Sequence, residues 1–291
     1  MSKAVYIGSE ALTATNVPAM YVGVNNIARK VTKGYIGVDG LARQFYAASV
    51  PFTYSYTGTY TESEITIDGV VYTVLTITSS GTLTVNRAID ADVWLCGGGA
   101  NGKTYRASSP AFYAGGGGGG GYANSGTLAI EASLAITVPS AGGIANCGGI
   151  IANPGSSDAY GSANRGTDGG SGGGEGGSNA SSGGVGKGAG TSTIPAQFGL
   201  TQAHCAGGAG GTYSNRYGGN GGSNGSDGYN RTSILSNGRK GGAVGGGNGN
   251  SSATFYGGGG GGANYANNGT AFAGSGYQGV VYIRWKKEDA A

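Results

Sequence analysis

The single histidine of the chain, His204, stands directly beside Cys205, the one place where a base and a thiol adjoin in sequence. Neighbours on a strand point to opposite faces, so this pair does not form a Cys–His nucleophile. The 14 acidic residues make no tight cluster. Asp90 and Asp92 share one strand face by their i, i+2 spacing, which lines a solvated side more often than it holds a cation. Cys96, Cys147 and Cys205 are far apart with no C-x-x-C pair, which argues against both a disulfide framework and a zinc site. A glycanase needs one carboxylate of raised pKa beside a second, and no spacing supplies that pair. G-x-G-x-x-G matches carry no information in so much glycine without a strand–turn–helix context. The expectation is that the chain is no enzyme, with no catalytic residue, no metal and no cofactor.

What remains is binding chemistry. Short inserts between glycine runs are dominated by Tyr, Asn, Ser and Arg, and ten residues are the candidates for ligand contact. They are Tyr105, Arg106 and Tyr113; Tyr213, Asn215, Arg216 and Tyr217; Tyr229 and Arg231; and Tyr265. Tyrosine offers a large rigid contact at low entropy cost, while Asn and Ser adapt their hydrogen bonds. Tyr faces with Asn and Arg also suit sugar rings and their hydroxyls. The alternative is that these tyrosines only seal the ends of the glycine-rich core.

The elements that must position these residues fall into three textures. Residues 1–50 form a β-repeat attachment or oligomerisation segment: Tyr21–Lys30 returns fourteen residues later as Tyr35–Gln44, and a fainter copy begins at Tyr6. Each copy predicts two short strands around a tight turn. Such a segment hardly buries a core by itself, so it is either a flexible leader or, as the repeated Tyr, Ile and Val favour, a β-structured segment that assembles with other copies or with a neighbouring protein. Residues 51–286 form the main domain. Phe52–Tyr56, Ile65–Ile67 with Val70–Ile77 around Asp68-Gly69, Thr82–Val85 and Val93–Cys96 predict short strands at sandwich-like spacing. Thr127–Ile130 and Leu134–Val138 predict a strand pair, and Gly279–Trp285 a closing strand. Residues 287–291 are a polar tail.

The stretch 97–276 holds all but 9 of the 67 glycines, that is 67 − 9 = 58. Ordering them costs on the order of 30–60 kcal/mol more than ordering alanine, far beyond the net stability of a domain. A Gly-rich stretch is ordinarily a flexible linker. Order requires a large compensation, and close packing of extended backbones supplies one. Polyglycine II helices have three residues per turn and outward N–H and C=O groups that can bond between neighbours only if no Cβ intervenes. The strand at 279–285 follows the glycine and needs a partner before it, which favours the ordered reading.

Phe52–Tyr60, then Thr82–Val85, Asp90–Gly99, several glycine runs and the closing Gly279–Trp285 give an order of elements that resembles the glycine-rich domain of phage and prophage tail proteins. The Tyr-Ile-Gly-Val repeat resembles the leader that precedes such domains. In ingredient the chain is similar to the tip adhesins of T-even-like phages. In layout it is similar to the glycine-rich region of anaplastic lymphoma kinase. The resemblance implies a mainly β fold: a jelly-roll-like β-sandwich with inserted, packed polyglycine II helices, preceded by the short β-repeat leader. It also implies a virion protein of the phage tail, made in the bacterial cytoplasm. Its partners would be other tail or virion proteins, held through residues 1–50, and a bacterial surface glycan or envelope receptor. Fibre-like tail proteins are commonly trimers, so a homotrimer is expected.

Charge and hydropathy exclude other classes. The net charge is only 17 − 14 = +3 and no run of Lys or Arg exceeds a pair such as Lys286-Lys287, so nucleic acid is not an expected partner. No stretch approaches 18 apolar residues and the N-terminus lacks an apolar signal region, so neither membrane insertion nor secretion is expected. The alternatives are a purely structural tail-tip or appendage subunit, and an ice-binding polyglycine bundle, which the long irregular inserts disfavour.

Overall fold

The computed structural model describes residues 20–24, 27–31, 33–38, 41–47, 51–103, 106–108, 111–113, 117–156, 194–211, 253, 255–263 and 273–287. The chain separates into two compact units, one running to Phe52 (with Ala291) and the other from Thr53 to Ala290. In the first, the sequence repeat forms two antiparallel hairpins. Strand β1 (Met20–Val24) pairs with β2 (Ile27–Val31), and β3 (Lys33–Val38) with β4 (Leu41–Ala47). The closing pairs are Val24↔Ile27 and Val38↔Leu41; the Asp39-Gly40 turn expected from the sequence lies outside the described residues.

The second unit is mainly β, with a single 3₁₀ turn (Ala196–Phe198) among its described residues. No described helix is long and apolar enough to cross a membrane. Its strands are β5 (Tyr54–Tyr56), β6 (Tyr60–Ile67), β7 (Val70–Ile77), β8 (Gly81–Val85) and β9 (Ile89–Cys96), then β10 (Arg106–Ser108), β11 (Ala111–Tyr113), β12 (Ala123–Ile130) and β13 (Ser133–Thr137). Strands β14 (Ala145–Cys147), β15 (Ile150–Ala152) and β16 (Val280–Lys286) follow. Two five-stranded antiparallel sheets result, ordered β12-β9-β16-β7-β6 and β15-β14-β13-β8-β5, in a sandwich-like arrangement. The hairpin β6–β7 forms as the sequence predicts. Asp68 and Gly69 have φ of 50° and 80°, the two positive angles of a two-residue hairpin turn, and Ile67 pairs with Val70.

One predicted pairing is corrected. Thr127–Ile130 and Leu134–Val138 do not pair with each other: β12 pairs with β9 in one sheet, and β13 with β8 and β14 in the other. The chain crosses between sheets at Glu131-Ala132, where the Val85 N–H donates to the Ala132 carbonyl. The apolar face of each strand explains the crossing, because it lets Ile130 (2% exposed) and Ile136 (2%) both enter the core.

The closing strand β16 lies at the centre of its sheet, between β9 and β7, and both of its faces are buried. Val281, Ile283 and Trp285 alternate with Val280 and Tyr282, and all five are at most 3% exposed. Trp285 meets Tyr54 of the opposite sheet edge-on at 5.2 Å. On the other face, Val280 and Tyr282 join Val74, Trp94 and Cys96 in a second apolar layer, covered by Phe198 and Cys205 with Leu200 and Tyr256 packed alongside. Arg284, also on that face, donates from Nε and Nη2 to Asp92 Oδ2 at 3.0 and 2.9 Å and from Nη1 to the Gln197 carbonyl. Asp92 Oδ1 accepts from the Thr127 hydroxyl at 3.0 Å, so Asp92 is engaged in structure.

Candidate functional site

The glycine segments stand on one end of the first sheet, where β9 ends and β12 and β16 begin. Residues 97–103 leave β9, 117–122 lead into β12 and 273–279 lead into β16, while 153–156, 205–211 and 257–263 lie among them. Their backbone bonds have a period of three. Gly97 and Ala100 donate to 117–122 (Tyr122 and Gly119), whereas Gly99 and Gly102 donate to 273–279 (Tyr277 and Gly274). Gly259 and Gly262 donate to Ala206 and Ala209, and Gly260 and Ala263 to Ala100 and Lys103. Gly118 and Gly121 donate to Gly260 and Gly257, and Gly119 and Tyr122 to Ser156 and Asn153. A pleated strand turns its donors with a period of two, so these segments are extended in a different way.

The glycines are required by contact. A Cβ on Gly118 would lie 2.6 Å from the carbonyl carbon of Ala100 and closer still to its oxygen, inside the 3.0 Å that real Cβ atoms keep. Gly259 meets Gly118 and Gly99 meets Gly258 in the same way. At the inner end, Cys96 and Cys205 are fully buried with both thiols facing Gly257. Burial, and then hydrogen bonding to Cys96, pushes the Cys205 thiol well above its usual range.

The bonding also fixes the direction of each segment. Pairs from Gly97–Gly121 and Gly257–Gly97 at the sheet, through Gly99–Gly258, to Gly102–Gly261, Ala263–Lys103 and Gly262–Ala209 run from an inner to an outer end. The chain therefore leaves the array at its outer end after Lys103, Gly211 and Ala263. It re-enters from that end at Gly117, at Ala253 (bonded to Ser275) and at Gly274 (bonded to Gly261). Three connections have both ends at this end of the array, 104–116, 212–252 and 264–272, and all ten candidate ligand residues belong to them; a fourth, 157–193, departs after Ser156 and holds none of the ten. Arg106 and Tyr113 are cross-strand partners in the β10–β11 hairpin. Tyr105, Tyr213, Asn215, Arg216, Tyr217, Tyr229, Arg231 and Tyr265 lie outside the described residues.

His204 is placed in the second apolar layer, 3% exposed. Nδ1 lies 3.0 Å from the Gln202 carbonyl, which can only accept, so Nδ1 carries the proton and Nε2 accepts from the Tyr282 hydroxyl at 2.8 Å. Trp94 meets the ring edge-on at 5.3 Å and Tyr256 stacks on it at 5.9 Å. Both nitrogens are engaged and neither bonds Cys205. Burial lowers the His204 pKa against the raising effect of the Gln202 bond, so the native imidazole is neutral. Stability is then fully present above the unfolded value of about 6.5 and declines as pH falls below it, by up to about 1.4 kcal/mol per pH unit until the native ring titrates. Melting temperatures between pH 7.5 and 5.5 should fall for the natural chain and fall less for His204→Gln; equal slopes would remove His204 as the cause.

Among the described residues no three of His, Cys, Asp or Glu come together as a metal-binding group. Sequence reasoning missed the aromatic residues that border the glycine segments, Phe255-Tyr256 before 257–262 and Tyr277 after 273–276. The signal was their position at the borders, where a large ring can stand beside a layer without side chains.

These features define a glycine-rich, mainly β domain in which extended glycine segments grow from a sandwich. The chain matches the family model described as the glycine-rich domain over residues 77–286, from the end of β7 to the end of β16, and it belongs to that family. No curated protein and no solved structure matches it.

Proposed function

We propose that the chain is a structural protein of a phage tail that contacts a bacterial surface glycan or envelope receptor through its Tyr/Asn/Arg-rich inserts, and that it performs no catalysis. The single observation that carries this reading is the common origin of those inserts. Three connections with paratope-like composition leave from, and return to, one end of a tightly bonded array. An ordered array with such inserts departing from one end suits recognition of a surface. The family match supports the glycine-rich domain. The tail assignment rests on the resemblance in leader and element order.

In this reading the glycine segments are polyglycine II helices, for which the period of three in their donors is the support. The sandwich is the jelly-roll-like base from which they project. Residues 1–50 hold a neighbouring virion protein, and the chain assembles as a homotrimer.

The test is adhesion of the purified chain to host cell envelopes and to a glycan array. Alanine at Tyr213, Tyr217 and Arg231 together should lower adhesion at least about thirtyfold, equivalent to about 2 kcal/mol, as truncated aromatic and Arg anchors do. The melting temperature should not change. Absence of adhesion, with the chain buried inside the particle, would overturn the adhesin reading in favour of a tail-tip or appendage subunit. Light scattering on the full chain should give three times the 28.3 kDa monomer mass; a monomer mass removes the trimer.

A further inference from the structure

A cleft of 340 Å³ opens beside the inner end of the array. Its floor is the buried His204–Tyr282 pair. Its walls are Phe255, Tyr256 and Tyr277, the last two with ring centroids 5.7 Å apart at 60°. Tyr277 is 38% exposed, one of the few large apolar side chains left open to solvent among the described residues, and exposed Gln202 stands at the rim beside half-buried Leu200.

Two properties narrow the occupant. Among the described residues no Asp, Glu, Lys or Arg lines the cleft, and His204 is neutral, so an ion entering it would find no counter-charge from them. The lining is nonetheless not purely apolar, since Tyr hydroxyls and the Gln202 amide offer donors and acceptors beside aromatic faces. Aromatic faces take up the C–H side of a ring, polar edges take its hydroxyls, and the volume lies at the low end for small-molecule sites. The geometry points to a binding site for one uncharged hexopyranose ring, such as the terminal residue of a neutral glycan. This deepens, and rests on, the reading of the chain as a glycan-binding protein, but places a sugar site on the base of the array as well as at its tip. A ring held here stacks on Tyr277 and Tyr256 and hydrogen-bonds to Gln202. Its arrival perturbs Trp94 through His204, 5.3 Å away.

The experiment titrates the full-length chain with glucose, galactose, mannose and N-acetylglucosamine, and with the anionic N-acetylneuraminate, following tryptophan fluorescence and the His204 ring resonances. At least one neutral sugar should bind saturably and shift the His204 signals. Tyr277→Ala should weaken that binding about tenfold, and Gln202→Ala should weaken it with no change in melting temperature. Three results overturn the proposal: no saturable binding of any neutral sugar, undiminished binding by Tyr277→Ala, or equal binding of N-acetylneuraminate. Running Tyr277→Ala and the insert variant through the envelope assay separates the two readings. Wild-type adhesion without uptake of free sugar overturns the cleft alone, whereas sugar uptake lost only in the cleft variants, in a chain that adheres to no envelope, supports the cleft and overturns the outer-end reading.

Discussion

Gly118→Ala is expected to lower the stability of the main domain by more than about 3 kcal/mol, the upper range for overpacking a well-filled interior. The new Cβ would overlap the Ala100 carbonyl, and neither partner can rotate away because both are backbone. Gly118 also donates to Gly260 and accepts from Gly208, so displacing it breaks bonds to two further segments. Gly259→Ala should behave alike, since its Cβ would strike Gly118 itself. Gly69→Ala is the control. That glycine has φ of +80° but nothing within 4 Å, so the substitution should cost only about 1–2 kcal/mol for a left-handed residue. Urea unfolding of the three variants checks the order; equal losses for Gly69→Ala and Gly118→Ala would mean that contact between segments is not what excludes side chains.

Arg284→Ala is the second large loss, at about 2–3 kcal/mol. Its guanidinium gathers Asp92 of β9, the Gln197 carbonyl of the 3₁₀ turn, and the rings of Tyr72 and Phe198 at 4.6 and 5.4 Å. The Arg284 side chain is 14% exposed and Asp92 40% exposed, so the ion pair itself contributes modestly. The larger part is the lost packing of the guanidinium on Tyr72 and Phe198 and the loosened lid over Tyr282, since the exposed Gln197 carbonyl can turn to water. Arg284→Lys should recover little, because one ammonium cannot bond Asp92 twice while reaching Gln197. Chemical denaturation measures the loss, and a variant within about 0.5 kcal/mol of the natural chain would show that the lid is held by Phe198 alone.

How much of this was legible in the sequence depended on how local the determining physics is. The β6–β7 hairpin was, because Asp68-Gly69 and the alternation around it act within a few residues. Strand β16 was legible as a strand, but its central place was not. Burial of both faces depends on Phe198 and Cys205, which lie in an irregular segment whose spacing has no period to read. The pairing of 127–130 with 134–138 failed for the opposite reason. Nearness in sequence suggested a hairpin, while the core required the chain to change sheets between Ile130 and Ser133.

The candidate site was legible as composition only. Tyr, Asn and Arg between glycine runs mark the inserts, but nothing in a run such as Gly117–Gly121 states which segments it will touch. That Gly118 bonds to Gly260 while Gly119 bonds to Ser156 follows from packing across the whole unit. The common outer end of the three inserts therefore had to come from the structure. So did the aromatic cleft, whose walls are drawn from 255–256, 277 and 282 and meet only once the array has assembled.

The fold, the cleft and the common base of the inserts all require the glycine segments to be an ordered array and not a linker, and amide hydrogen exchange tests this most directly. The amides of Gly118, Gly208, Gly259, Gly260 and Gly262 should exchange as slowly as those of Val93 and Ile283 in the central strands, since each donates to a neighbouring segment inside the unit. Exchange of these glycine amides at the rate of an unstructured chain, with β9 and β16 still protected, would contradict the account and leave the inserts without a common base.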